Sequence, residues 1–216
     1  MNRKILAEAL GAMLLTACVV GSGIMAERLA GGNAAAALLA NTLATMAVLA
    51  TLIATLGTVS GAHFNPVVSA VAVFTRRIDG RLAFFYIVAQ VLGCVAGAML
   101  ANAMFDLPLV QASTHARGGA GQWLSEVVAT AGLVFVALRS GHCNEAAWRV
   151  SLWIGAAYWF TASTSFANPA ITIGRALSDS FAGIRPADVP GFVAAQAVGA
   201  VVGAGLLRSI REPAAA

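Results

Sequence analysis

Six apolar runs near membrane length divide this sequence. About 20 apolar residues in a helix cross the hydrocarbon core of a bilayer. Only 10% of the residues are charged, against roughly 25% in a soluble domain, so the chain cannot cover a water-facing surface. The sequence therefore predicts an all-α membrane protein in a lipid bilayer. The runs are Ile5–Met25, Ala34–Thr58, Leu82–Met104, Trp123–Leu138, Ala147–Ser163 and Val189–Leu207.

The basic residues punctuate the apolar runs and form no patch, which argues against a nucleic-acid partner. Their distribution also predicts an orientation, because cytoplasmic connections are enriched in Lys and Arg. With both termini inside, nine of the 13 cations lie on the cytoplasmic side and four outside. The three cysteines have no metal or redox spacing, and the sequence predicts neither a metal site nor a cofactor.

The two halves of the sequence repeat. The block from Glu8 recurs at Glu126 with an offset of 118, and "AQVLGCVAGA" around Gln90 recurs around Gln196 with an offset of 106. "NPVVSA" at Asn65 parallels "NPAITI" at Asn168 with an offset of 103. Each repeat holds three spanning helices, an odd number, so the second repeat must be inverted in the membrane.

Each Asn-Pro pair predicts the start of a half-helix. Asn is a strong N-cap, and Pro suits the first helical position. Asn65-Pro66 and Asn168-Pro169 therefore start two re-entrant segments that enter from opposite faces and meet near the midplane. Their N-termini each carry about half a positive charge. Such a pore repels cations, while the Asn amides donate hydrogen bonds to water or a neutral solute.

These features resemble the aquaporin, or major intrinsic protein, family. "SGAHFNPVV", "NPAITIG", Glu8 and Glu126 carry the resemblance, which covers nearly the whole chain. It implies an inverted repeat of six transmembrane helices plus two re-entrant half-helices, as one channel domain over residues 1–216. The repeats would occupy about 5–104 and 123–208, and the subunits would form a homotetramer. A bacterial inner-membrane protein with cytoplasmic termini is expected.

The resemblance also implies roles for three polar residues. Glu8 and Glu126 would be buried carboxylates that brace the re-entrant loops by accepting hydrogen bonds from their backbone. His63 would help to brace its loop. The alternative for the carboxylates is a proton relay, because an ionisable group inside a membrane often marks a functional site.

The sequence departs from the family in both motifs. Val67 replaces the usual Ala of the first motif Asn65-Pro66-Val67, and Ile171 follows Asn168-Pro169-Ala170 where the family normally has Arg. Carried over by spacing, the selectivity filter would be Thr45, Ala156, Ser165 and Ile171. If the register on the helices is off by a turn, Asn41 or Tyr158 would take the place of the corresponding residue.

A wide, uncharged filter predicts a passive channel for small neutral solutes larger than water. The chain resembles the divergent bacterial subgroup associated with arsenic-resistance operons, which implies arsenous acid or methylated arsenicals as solutes, with glycerol and water possible. A general glycerol/water facilitator is the alternative. A secondary transporter is a further one, which would need a coupling carboxylate or His on the pathway. The chain contains no nucleophile-base constellation, so an enzyme is not expected.

Arg175 lies four residues after Ile171, on the same face if the half-helix continues. It is a candidate vestibule cation that replaces the missing filter Arg. An ion pair with Asp179 or an interfacial position is the alternative, and the sequence favours this alternative. Whether the segment 106–121, "DLPLVQASTHARGGAG", folds over the pore mouth is left open.

Overall fold

A computed structural model describes residues 2–210 of the chain. Within this range the chain forms eight α-helices and no strand, together with one 3₁₀ turn at Pro186–Asp188. The helices are α1 (Asn2–Leu29), α2 (Ala34–Ser60), α3 (Pro66–Phe74), α4 (Gly80–Met104), α5 (Ala120–Arg139), α6 (Cys143–Phe160), α7 (Pro169–Arg175) and α8 (Val189–Ser209).

Five of these helices, α1, α2, α4, α5 and α8, are long and apolar enough to cross a membrane. The sixth long helix, α6, has 18 residues, and Glu145 and Arg149 pair across its first turns. These charged residues lower the mean hydropathy of α6 below that of the other five. The chain is a multi-pass membrane protein.

The two halves pack in the same way. Helix α1 lies against α2 and α4, and α5 lies against α6 and α8. Where α1 meets α4 and where α5 meets α8, glycines permit close contact between the helix backbones. Gly93 and Gly97 of α4 face backbone carbonyls of α1, and Gly199 and Gly203 of α8 face backbone carbonyls of α5. The equivalent glycines thus create the same tight seam twice.

Two short helices lie inside this bundle. Helix α3 has nine residues and α7 has seven, about 14 and 11 Å at 1.5 Å per residue, too short to cross a bilayer. Both start at a Pro, and both pack against α4 and α8. They also contact each other, so their N-terminal ends meet in the interior of the bundle.

The connection between α4 and α5 packs against the segment that follows α7. Gln111 donates its backbone N–H to Leu177 O at 3.0 Å, and Ser113 donates to Ala176 O at 3.1 Å. Farther along, the backbone of Arg185 donates to His115 O at 2.8 Å. The sequence left the course of this connection open, and the structure shows it fastened over the end of α7.

Candidate solute pathway

The two asparagines of the Asn-Pro motifs meet where the half-helices begin. The side-chain oxygen of Asn65 accepts from Val67 N at 3.1 Å, and that of Asn168 accepts from Ala170 N at 3.0 Å and Ile171 N at 3.3 Å. Each amide nitrogen donates across to the other loop: Asn65 to Ala167 O and Asn168 to Phe64 O, both at 2.8 Å. An amide nitrogen carries two hydrogens, so each Asn keeps one donor for a solute.

Glu8 of α1 lies under the first re-entrant loop and is fully buried. Its carboxylate accepts four hydrogen bonds. The backbone of His63 donates at 3.0 Å and that of Phe64 at 2.7 Å, while the side chains of Ser60 and Gln90 donate at 2.6 and 2.7 Å. A buried carboxylate needs such partners because an unsatisfied charge in the membrane interior is costly.

Glu126 of α5 makes the same arrangement under the second loop, and it too is fully buried. The backbones of Phe166 and Ala167 donate to it at 2.9 and 2.8 Å, and the side chains of Ser163 and Gln196 donate at 2.6 and 2.7 Å. Each carboxylate thus accepts two backbone N–H groups of its own loop.

Both loops contain non-glycine residues in the left-handed region. Ala62 and Phe64 have φ of 50° and 48°, and their equivalents Ser165 and Ala167 have 51° and 48°. L-residues rarely adopt this conformation, and each costs on the order of 1–3 kcal/mol where the surroundings do not impose it. The hydrogen bonds to the two glutamates hold the backbone in this shape, which turns carbonyl groups towards the interior.

A cavity of about 140 Å³ runs past the meeting point of the half-helices. Its wall is largely apolar, and among residues 2–210 no carboxylate lines it. We call the part beside α7 the α7 half and the part beside α3 the α3 half. The polar and charged side chains on its wall are Thr45, His63, Asn65, Arg77, Tyr158, Ser165, Asn168 and Arg175.

Three side chains with hydroxyl groups line the α7 half of the cavity. The hydroxyls of Thr45 and Tyr158 lie 3.2 Å apart. Ser165 is buried on the cavity wall, and its Oγ has no hydrogen-bond partner among the described residues. Ile171 completes this region with an apolar side chain that is 7% exposed. We call these four residues the hydroxyl-lined constriction.

The assignment of Ala156 to the filter is wrong. Ala156 is exposed on the outer face of α6 and does not line the cavity, whereas Tyr158 does. Asn41, the substitute that the sequence offered for Thr45, does not line the cavity either. Its amide donates to Val19 O and Ser22 Oγ, both at 2.9 Å. The constriction therefore carries Tyr158, which the sequence analysis named as a substitute, where the first assignment placed the methyl group of Ala156.

The alternative that the sequence favoured for Arg175 is wrong as well. Asp179 accepts hydrogen bonds from the backbone and side chain of Thr114, at 2.8 and 3.0 Å, and makes no ion pair with Arg175. Arg175 is 2% exposed, which excludes an interfacial position. Its Nε donates to Ala182 O, its guanidinium carbon lies 3.4 Å from the centroid of the Phe166 ring, and it lines the cavity.

The α3 half has a different wall. Val68 and Ala72 line it at the positions equivalent to Ile171 and Arg175. His63 is on the wall, and its ring lies 3.0 Å from Ser69 Oγ and edge-on to Tyr86. Arg77, which the sequence did not single out, lies at the far end and donates to Leu138 O at 2.8 Å. The signal in the sequence that could have identified Arg77 is its position shortly after the half-helix α3, which ends at Phe74.

Comparison with known proteins shows the family to which the chain is similar and a relative that matches nearly its full length. The family model for the major intrinsic protein matches residues 1–147 and 137–216. The chain is similar to the aquaglyceroporin AqpS of Rhizobium meliloti, with 51% identity over 216 residues that cover 99% of this chain and 92% of that protein. A shorter stretch of 45 residues is 49% identical to aquaporin-2 of Ovis aries and covers 21% of this chain and 17% of that protein.

Among solved structures, the X-ray structure of the aquaglyceroporin from Plasmodium falciparum has the same fold. The TM-score is 0.73, with 97% of this chain and 96% of that chain covered and 21% sequence identity. Because the identity is low, this likeness bears on the fold alone. It matches the prediction of six long helices and two half-helices, which is confirmed.

Proposed function

The chain belongs to the major intrinsic protein family and is a membrane channel for small solutes, not an enzyme, and we propose that it passes neutral solutes larger than water through a filter without arginine. The proposed solutes are metalloid hydroxides and methylated arsenicals, in arsenic efflux, with glycerol and water as further ones. The observation that carries the proposal is Ile171, buried on the cavity wall directly after the second Asn-Pro-Ala motif.

The hydroxyl-lined constriction suits a solute with several hydroxyl groups. Thr45, Tyr158 and Ser165 each donate and accept, because a hydroxyl has one O–H and two lone pairs. Ile171 adds an apolar side chain to the same part of the cavity wall. Arsenous acid is neutral near pH 7 and resembles a small polyol in shape, and a methylated arsenical adds an apolar group. A constriction with one hydroxylated side and one apolar side matches both features.

Three features support exclusion of cations without an arginine at position 171. The N-termini of α3 and α7 point into the cavity region and carry partial positive charge. Among residues 2–210, no carboxylate lines the cavity to offset it. Arg175 adds a full positive charge one turn beyond Ile171. In this proposal Arg175 is a vestibule cation that takes over the screening that the filter arginine performs in the family.

The coupling carboxylate of a secondary transporter has no counterpart here. Glu8 and Glu126 each accept four hydrogen bonds, from loop backbone and from neighbouring side chains. We propose that they brace the loops, with His63 in support through Ser69. Homotetrameric assembly, the bacterial inner membrane and cytoplasmic termini belong to the same proposal, the last supported by the distribution of Lys and Arg.

The test is solute flux into proteoliposomes that contain the full chain, followed by stopped-flow light scattering. Water, glycerol and arsenous acid are compared with protein-free liposomes of the same lipid. The wild type should pass all three without an ion gradient and without saturation. Thr45→Phe, which fills the constriction with an aromatic ring, should reduce glycerol and arsenous acid flux more than water flux. A wild type that passes only water would contradict the proposal.

A further inference from the structure

Arg117 is a buried arginine in the connection between α4 and α5, distant in sequence from both Asn-Pro motifs. It is 7% exposed. All three nitrogens of its guanidinium donate to backbone carbonyls: Nε to Gly183 at 2.7 Å, Nη2 to Phe181 at 3.1 Å and Nη1 to Ser163 at 3.4 Å. Ser163 precedes α7 and the other two follow it, so one side chain fastens both flanks of the half-helix.

No acidic side chain pairs with this guanidinium among the described residues. The two ion pairs there are Arg149–Glu145 and Arg185–Asp188. Arg117 donates to Asp188 with its backbone N–H, at 2.8 Å, and not with its guanidinium. Burial lowers the pKa of Arg117 to about 10, so it stays protonated at neutral pH. A buried charge is costly unless it is paired or hydrogen-bonded, and here three backbone carbonyls take the place of an acidic partner.

Phe166 connects Arg117 to the cavity. The guanidinium carbon of Arg117 lies 5.1 Å from the centroid of the Phe166 ring, and that of Arg175 lies 3.4 Å from the same centroid. Two cations thus share one aromatic ring, whose face attracts positive charge. The ring is fixed from below, because the Phe166 backbone donates to Glu126 and its edge packs on Phe192 with a centroid separation of 5.1 Å.

The two arginines also share the tripeptide 181–183. Arg117 takes the carbonyls of Phe181 and Gly183, and Arg175 takes the carbonyl of Ala182 between them. The guanidinium of Arg175 donates to the carbonyl oxygen of Ala182. If Arg117 were absent, the carbonyls of Phe181 and Gly183 would be vacant acceptors on either side of Ala182, and we expect the remaining donors of Arg175 to turn towards them.

We propose that Arg117 is a positioning residue for the solute pathway: it occupies these carbonyls and holds Phe166, so that the guanidinium of Arg175 stays against the cavity. Arg117 itself does not line the cavity and acts through its neighbours. The inference rests on the proposed vestibule role of Arg175, but not on the identity of the solute.

The experiment compares Arg117→Gln, Arg175→Gln and the double variant in proteoliposomes. The quantity is the ratio of glycerol permeability to water permeability, which does not depend on how much protein is incorporated. Arg175→Gln shortens the side chain at the cavity, so the ratio should rise. Arg117→Gln should raise it in the same direction by about three-fold or more, and the double variant should equal Arg175→Gln alone, because residues that act as a unit are not additive.

Two further variants give the matched controls. Arg28 also donates to a backbone carbonyl, Phe105 O at 3.2 Å, and lies 5.0 Å from the Phe105 ring centroid, but it is exposed and outside the cavity, so Arg28→Gln should leave the ratio unchanged. Arg117→Lys keeps the charge without the three-way donor geometry and should fall between wild type and Arg117→Gln.

Two results would overturn the inference. One is an Arg117→Gln protein in which glycerol and water permeabilities fall by the same factor, as expected of a contact that only stabilises the loop. The other is a double variant in which the two effects multiply. If Arg175→Gln itself left the ratio at the wild-type value, the vestibule role of Arg175 would fail, and this inference with it, whereas the filter at Ile171 would stand.

Discussion

The half-helices α3 and α7 begin alike and end differently. Both start with an Asn cap and a Pro, and both loops are held by a carboxylate with four donors. One and two turns along, α3 presents Val68 and Ala72 to the cavity, where α7 presents Ile171 and Arg175. The duplicated residues fix the backbone, and the residues that differ between the halves give the cavity its two chemically distinct ends.

A second difference lies above the half-helices. The segment after α7 is covered by the α4–α5 connection, with Gln111, Ser113, Thr114 and Arg117 hydrogen-bonded to it. The end of α3 is closed by the backbone of Arg77, which donates to Ala72 O at 2.8 Å. The α7 half is therefore supported by a part of the chain that is not duplicated, and selection among solutes is expected to reside there.

Glu8 and Glu126, the buried carboxylates under the two re-entrant loops, offer the most severe test of the likeness between the halves. In Glu8→Gln or Glu126→Gln, an amide NH₂ replaces one acceptor oxygen, so donors of the loop face another donor. At about 1–3 kcal/mol for each buried polar group left unsatisfied, each variant should lose about 3 kcal/mol of stability and most of its water flux. The melting temperature in detergent and stopped-flow water permeability measure this.

Glu145→Gln is the matched control, because Glu145 makes an exposed pair with Arg149 one turn away and such pairs contribute little. Comparable losses in the two brace variants would support equivalent halves. A variant at one brace that melts and conducts like the wild type would show that only the other loop depends on its carboxylate.

A smaller effect is expected at the glycine seams. A methyl group on Gly97 would run into Met13 O, and one on Gly203 would run into Ala131 O. Gly97→Ala and Gly203→Ala should each destabilise the protein by about 1–3 kcal/mol through overpacking. Gly205→Ala, with no atom within 4 Å of the added Cβ, should melt like the wild type. If all three variants had the same melting temperature, the helices at these seams would be able to move apart at little cost in stability.

The smallest expected effect is confined to the covered α7 half. Partial desolvation lowers the pKa of His115 from its usual value near 6.5, as do the nearby charges of Arg117 and Arg175, with Glu27 and Asp179 acting in the opposite direction. A His whose pKa is lowered on folding favours the folded state when neutral. Stability should be constant above about pH 6.5 and should decline as the pH falls below it.

His115→Gln should weaken this decline in the melting temperature between about pH 6.5 and 5, because the group that must be protonated is removed. The effect is limited because the side chain is exposed. A melting profile identical to that of the wild type across this range would assign the acid sensitivity to other groups.

Much of the fold was accessible from the sequence because its signals are local. Asn-Pro pairs mark helix starts wherever they occur, and the observed N-caps are Asn65 and Asn168. The apolar runs located the six long helices, although their bounds differ: α1 covers Asn2–Leu29 where the run covers Ile5–Met25, and α6 covers Cys143–Phe160 where the run covers Ala147–Ser163. Polar residues at membrane boundaries continue a helix that hydrophobicity alone cannot delimit.

The misplaced residues have physical reasons as well. Ile154 and Tyr158 are four apart and share the inner face of α6, whereas Ala156, midway between them, faces outward as the helical period requires. Arg175 is the last residue of α7, so Asp179 is not one helical turn away from it. Arg117 belongs to an irregular connection without a repeat partner, where sequence offers no period from which to place a side chain.

The most direct test of a filter that depends on position 171 is the glycerol-to-water permeability ratio of Ile171→Arg, with Ile171→Leu as a control of similar volume. Arg would extend a charged side chain among Thr45, Tyr158 and Ser165. We expect the ratio to fall about ten-fold or more, since pore diameter and lining charge set selectivity, while Ile171→Leu stays near the wild type. A ratio unchanged by Arg would show that solutes are selected elsewhere along the cavity.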